Sequence, residues 1–340
     1  MNLAPHRKLL MLPSRWRTRS FAAVVATVAS VGLIFTGCAS AEPQAGAAGS
    51  TELRAVDTHY GEIEVPVDPQ RVVAVSYDTP WQLKAVGITP VGAQDYSNYT
   101  DQFTKEDLAF IADVPSVGAF FELNLEAVAA AKPDLIVGDA LEIDDKIYKQ
   151  LAAIAPTVIL SAEYRGDWRT IGSGVADAVN RSAEFDESAS VYDARLAELK
   201  EQYAAELTGK NWAAVSEGDS EGGFSILYPT GVLGALWFKD LGAKLAPGVP
   251  ESNANGFEMV SAELTNEILG EADVIVAPAR ADGGLNEVIT AVIESPLVQR
   301  LPASINGNVY WVYSSVTDYE SALRWLNAAE EQVLKPLSAK

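Results

Sequence analysis

From Val72 onward the chain is punctuated by short unbroken apolar runs, and between them apolar residues recur at helical spacing. Val72-Val73-Ala74-Val75 reads as a strand, and Trp81 to Val86, closed by Gly87, as a short helix. Asn124-Leu125-Glu126 opens another helix, followed by the strands Asp134 to Val137 and Pro156 to Leu160. The same order then returns. It runs through the strand Phe224 to Tyr228, a helix Leu236 to Leu241 closed by Gly242, a helix opened by Ser261-Ala262-Glu263, and the strands Asp273 to Val276 and Asn308 to Tyr313. Unalternated apolar strands separated by helices indicate parallel sheets buried on both faces. An α/β module that occurs twice predicts two Rossmann-like lobes, and a cleft between lobes is where small ligands bind.

Between the copies, Ile171, Val175 and Val179 recur at helical spacing. After a polar break at Asn180-Arg181-Ser182, Tyr192, Leu196, Leu199, Tyr203 and Leu207 continue the pattern, with Asp186 or Ser188 as the expected cap. The stretch predicts near-continuous helix over about 40 residues and about 60 Å, joining the lobes and permitting only small-amplitude closure. The expected organisation is a leader over 1–38, a tether over 39–54, an N-terminal lobe over 55–166, one long interlobe helix over 167–208 and a C-terminal lobe over 209–340. Thr51 to Val65 reads as an opening hairpin turning at His59-Tyr60-Gly61.

The leader combines Arg7, Lys8, Arg15, Arg17 and Arg19 with an apolar run from Phe21 to Thr36. It ends in Phe35-Thr36-Gly37-Cys38, which resembles a lipobox, and the chain has no other cysteine. Cleavage before Cys38 and its lipidation are therefore expected, giving an exported protein anchored to the outer face of the cell membrane. Without the leader, 20 basic residues face 46 acidic ones, a net charge of −26. Such a surface repels nucleic acid, and it disfavours a strongly anionic ligand unless a local basic pocket offsets the field.

Three stretches resemble the iron-siderophore substrate-binding proteins of ABC transporters: Gly61 to Pro66 with Pro69 to Ala74, Asn124 to Val137, and Ala194 to Leu199. The resemblance extends from about Ala55 to Leu337 and is most specific over Asn124 to Val137. It implies a helical-backbone periplasmic-binding-protein fold and a transport role, with a ferric siderophore, haem or cobalamin as ligand. It also implies that Glu126 and Glu263 dock on arginines of two permease subunits. Where the family often has Glu-Pro-Asn, this chain has Glu122-Leu123-Asn124, and Asn124 still supplies the helix cap.

Ligands of α/β lobes bind at the carboxyl ends of the strands. Those ends carry Tyr77 and Trp81, Tyr99, Phe120 and Phe121, and Tyr164 with Arg165 in the first lobe. In the second they carry Tyr228, Trp237, Phe257, Arg280, and Tyr313 with Ser314. About half of these aromatics are expected to be packing residues. Arg280 ends its strand where family members place an arginine on an anionic chelate, while Phe120 and Phe121 stand where a first-lobe arginine is expected. One or two arginines suit a hydroxamate or mixed-ligand chelate better than a trianionic one.

With His59 the single histidine outside the leader, a metal site built on several histidines is excluded. Axial histidine ligation of haem is disfavoured, and iron is expected only as a chelate, with no cofactor. Ser173 between glycines lacks a nucleophile-elbow pattern, so an enzyme is not favoured, and the presence of both Glu126 and Glu263 argues against a transporter-independent sensor. The expected protein is a monomer that captures a ferric siderophore for an ABC permease.

Overall fold

The computed structural model describes residues 52–340, apart from 165, 219–221 and 251. Cys38, the leader and Arg165 lie outside the described residues. β1 (Leu53–Thr58) and β2 (Gly61–Pro66) form the opening hairpin, with Thr58 opposite Gly61. The first strand thus starts within the segment read as tether. The turn is fastened to the first lobe by the His59 N–H, which donates to the Ile159 carbonyl at 2.7 Å.

The first lobe follows as β3 (Val72–Ala74), α1 (Thr79–Ala85), α2 (Lys105–Ile111), β4 (Gly118–Ala119), β5 (Glu122–Leu123), α3 (Leu125–Ala130), β6 (Leu135–Asp139), α4 (Asp145–Ala152) and β7 (Thr157–Leu160). β3, β6 and β7 pair in parallel, and parallel bridges Val73–Gly92 and Ala93–Ser116 widen the sheet. Every residue of β3 and β7 is buried, which is why their sequences do not alternate. The Asp134 carboxylate accepts the Gln70 and Arg71 N–H groups at 2.8 Å each, locking the start of β6 beside β3.

The connector is α5 (Trp168–Ala178), α6 (Ser182–Gln202) and α7 (Ala204–Gly209). The expected near-continuous helix is thus broken twice. Asn180, at φ 56, ends α5 in the left-handed region that asparagine tolerates better than most residues. α6 then runs for 21 residues, or about 31 Å, and Tyr203 interrupts it before α7. α6 starts at Ser182 without a side-chain cap, so Asp186 and Ser188 lie inside the helix and cap nothing.

The second lobe contains β8 (Asn211–Ser216), β9 (Phe224–Leu227), α8 (Val232–Ala235) running into a π-helical turn (Leu236–Asp240), β10 (Lys244–Leu245), β11 (Phe257–Val260), α9 (Thr265–Leu269) and β12 (Val274–Ala279). It closes with α10 (Glu287–Ile293), α11 (Pro302–Ile305), β13 (Val309–Tyr313), α12 (Tyr319–Ala329), a second π-helical turn (Glu330–Leu334) and α13 (Lys335–Ser338). The sheet order is β11-β9-β8-β12-β13, with β10 beside β8. β8, β10, β12 and β13 are mutually parallel, but β9 is antiparallel to both neighbours, so the sheet is mixed rather than all-parallel.

The phase of the repeat also shifts. The Asp273 carboxylate accepts the Asn211 N–H at 2.8 Å, as Asp134 holds Arg71. The counterpart of β3 is therefore β8, and the second copy begins at Asn211 with β9 as an added strand.

Tyr192 of α6 donates to Asp240 at 2.8 Å, and Tyr203 to Glu330 at 3.0 Å, with Arg195 also on Glu330. Both carboxylates sit in π-helical turns of the second lobe. α5 instead packs on α1, β6 and β7 of the first lobe. The change of allegiance between lobes falls at Asn180.

Candidate functional site

The parallel strands of both sheets end at the seam between the lobes. On the first-lobe side the Tyr77 ring forms the centre of an aromatic group, with centroids of Tyr96 at 5.2 Å, Phe120 at 5.3 Å and Tyr99 at 5.5 Å. Phe121 lies tilted against Phe120, centroids 4.4 Å apart, and is 59% exposed at the tip of the β4–β5 hairpin. Burial, with the Asp78 and Tyr99 charges next and Asp101 beyond them, pushes the Tyr77 phenol well above its ordinary pKa, so it stays a neutral donor. Its hydroxyl donates to Gln102 Oε1 at 3.1 Å.

Across the seam, the Tyr313 hydroxyl at the end of β13 donates to the Gln102 carbonyl at 2.9 Å. The Ala281 N–H, just past β12, donates to the Asp101 carbonyl at 3.1 Å. The turn Thr100–Gln102 thereby holds phenols from both lobes. Arg280 stands beside it, but its guanidinium already pairs with Asp282 at 2.9 Å. Deeper in, Asp107 meets Lys84 at 2.7 Å and Arg324 of the second lobe at 3.5 Å. Burial pushes the Asp107 carboxyl up, yet hydrogen bonds from Lys84 and Thr104 and the Arg324 charge hold it below its ordinary 3.8. The cavity between Trp81, Phe103, Asp107 and Arg324 is about 10 Å³, space for a single water.

The expected site residues thus divide. Tyr77, Tyr99, Phe120, Phe121, Arg280 and Tyr313 gather at the strand ends. Trp81 is buried under them, stacked on Phe103 at 4.5 Å. Trp237 is packed between Trp212 and Trp325, and Tyr228 is fully buried with its hydroxyl on Glu258. These two are core residues. Phe257 is exposed at the start of β11, opposite Leu227. Tyr164 lies under the Lys239 ammonium, 3.8 Å from its ring centre.

Glu126 and Glu263 are both exposed. Asn124 caps α3 through the Glu126 and Ala127 N–H groups at 3.1 Å each. The expected mirror-image cap at Ser261 is absent, because Glu263 sits in a 3₁₀ turn, Ala262–Leu264, without a side-chain cap.

Two α/β sheets meeting at their strand ends across an aromatic seam match a known architecture, and the sequence profile described as periplasmic binding protein matches residues 72–315. The chain belongs to the periplasmic binding protein family. It is 32% identical to the Fe(3+)-citrate-binding protein YfmC of Bacillus subtilis over 82% of this chain and 84% of that one. It is 26% identical to the putative ABC transporter substrate-binding lipoprotein YhfQ of the same organism, over 93% and 98%. Among solved structures, the siderophore periplasmic binding protein from the fuscachelin gene cluster of Thermobifida fusca superposes with a TM-score of 0.69 at 30% identity, covering 79% of this chain and 98% of that one. The chain is a substrate-binding protein, not an enzyme.

In this periplasmic binding protein, several residues of the seam carry no motif that sequence reading could use. Gln102 and Asp101 act through contacts between loops distant in sequence, and Asp282 pairs locally with Arg280. Glu142, buried beneath Tyr77, is hidden among many acidic residues. Asp134 and Asp273 are the exception, since each directly precedes a core strand of its copy and the pair is visible in the repeat.

Proposed function

We propose that this chain is the substrate-binding lipoprotein of an ABC importer, anchored through Cys38 at the outer face of the membrane, and that it captures a ferric siderophore of hydroxamate or mixed-ligand type. The observation that carries this reading is the convergence of Tyr77, Tyr99 and Phe120 with Tyr313 and Arg280 on the Thr100–Gln102 turn. Aromatic faces there suit the organic shell of a chelate, and phenols and one guanidinium suit its oxygens. Arg280 is already shared with Asp282, and Asp101 stands nearby, which favours a chelate of low negative charge over a trianionic one. The relatives named for ferric citrate and siderophores support the ligand class.

Glu126 and Glu263, one exposed on each lobe, would fix the position and orientation of the protein on a pair of permease subunits. The test is import of radiolabelled iron chelate in cells carrying Glu126→Ala/Glu263→Ala. Import should fall about tenfold or more, as for loss of two charge-assisted contacts, with chelate affinity unchanged. Undiminished import would overturn the docking role.

A further inference from the structure

β6 ends at Asp139, whose carboxylate accepts the Leu141 N–H at 2.9 Å and the Glu142 N–H at 3.3 Å. This turn sends Glu142 inward, where it is only 8% exposed. A buried carboxylate is costly unless donors satisfy it. Glu142 has three. Its oxygens accept the Tyr77 N–H and Gln94 Nε2 at 2.6 Å each, and the Phe121 N–H faces it from the β4–β5 hairpin as a weaker third partner. Gln94 Nε2 donates to the Val75 carbonyl at 3.0 Å as well. One carboxylate therefore joins the end of β3, the Gly92–Gln94 strand and the β4–β5 hairpin.

Two of those joints lie at the rim of the cleft. Phe121 has φ 58, which is uncommon for a bulky residue and persists only where the surroundings enforce it. Tyr77 is pinned on both sides, its N–H by Glu142 and its carbonyl by the Tyr96 hydroxyl at 2.5 Å. We infer that Glu142 is the positioning residue of the first-lobe rim, fixing the main chain at Tyr77 and Phe121 so that the Tyr77, Phe120 and Phe121 rings face the ligand already arranged. Pre-arranged aromatic contacts cost less ordering on binding. This rests on the seam being the ligand site, as proposed above.

Burial raises the Glu142 pKa above its ordinary 4.5, although its donors pull the other way and the Asp139 charge adds to the rise. Tyr77, Tyr96 and Asp139 are the titratable groups facing it. On acidification Glu142 takes up its proton before an ordinary carboxyl would, and its hold on the two amides weakens.

The test is amide hydrogen exchange of the protein and of Glu142→Gln, with chelate affinity measured in parallel. The glutamine turns an N–H₂ group toward the donors, and Gln94 can answer it only by giving up Val75. Exchange at Tyr77 and Phe121 should rise about tenfold in the variant, while Val137 and Ile159 in the sheet keep their protection. Between pH 7 and pH 4, protection corrected for intrinsic rates should fall at those two amides in the wild type and stay flat in the variant. Affinity for a ferric hydroxamate should drop about tenfold, one hydrogen bond to a charged group. Unchanged protection at both amides overturns the inference, as does lost protection with unchanged affinity for a chelate the wild type binds. If the wild type binds no chelate, lost protection still supports a rim held by Glu142, and it is the functional reading that falls.

Discussion

Aromatic side chains in this protein divide according to what surrounds them, and the division has separable consequences. Trp237 lies 5.3 Å from Trp212 and 4.9 Å from Trp325 inside the second lobe. Trp237→Ala should cost about 4 kcal/mol in urea unfolding, without altering the affinity of the folded fraction for chelate. Tyr77→Ala should do the reverse, with affinity falling about tenfold through lost ring contacts and a smaller loss of stability. Equal effects of the two on affinity would contradict the division. The strand-end rule placed Tyr77 and Tyr313 at the seam because a residue just past a buried parallel strand must emerge at the sheet edge, whereas Tyr99 and Phe120 join them from the Thr100–Gln102 turn and the antiparallel β4–β5 hairpin. It failed for the buried Tyr228 because β9 runs antiparallel to β8, carrying its last residues away from the edge where β8, β12 and β13 end. Strand direction leaves no mark in a four-residue apolar run.

At the scale of elements, the repeat was legible and its phase was not. Asn211-Trp212-Ala213-Ala214-Val215 has two alanines and follows directly on a helix, so it reads weakly as a strand, whereas Phe224 to Tyr228 reads strongly. Pairing partners, not composition, make β8 the equivalent of β3. The long connector was overestimated for a related reason. Helical spacing survives a left-handed residue such as Asn180, although the axis does not. Three chain segments cross at glycines beside the connector. The Gly166 N–H donates to the Thr230 carbonyl at 3.0 Å, and a Cβ on Gly231 would lie 2.6 Å from the Gly256 carbonyl oxygen. The obstacle is main chain and cannot swing aside. Gly231→Ala should therefore destabilise by about 2 kcal/mol through overpacking, visible as a lowered urea midpoint with unchanged slope. An unaltered midpoint would show that the crossing can yield.

For the whole molecule, the lobes are joined along a seam from Arg169–Asp240 at 2.6 Å, through Gln82 on the Thr317 carbonyl and Asp107–Arg324, to Tyr313 on Gln102 at the mouth. The Asp107 carboxyl titrates below its ordinary 3.8, so it stabilises the fold at higher pH, and that contribution is lost as pH falls through its lowered value. Asp107→Asn should cost about 3 kcal/mol at pH 7, where it leaves Lys84 short of its buried partner. The difference from wild type should shrink at pH 3. A pH-independent difference would mean that packing, not charge, holds this part of the seam. Overall charge was legible in the sequence. The closeness of the lobes was not, since it depends on contacts between residues more than two hundred positions apart, such as Gln82 with Thr317.

Capture of a ferric chelate in the cleft is tested most directly by tryptophan fluorescence of the chain without residues 1–38, titrated with ferric hydroxamates, ferric catecholates, ferric citrate, haem and cobalamin. Trp81 lies beneath the aromatic rim and reports on the seam, whereas Trp237 is shielded in the core. The account predicts saturable, submicromolar quenching by a ferric hydroxamate or mixed-ligand chelate, weakened by Tyr77→Ala. Saturation by haem or cobalamin alone, or by a trianionic catecholate in preference to every hydroxamate, would contradict it.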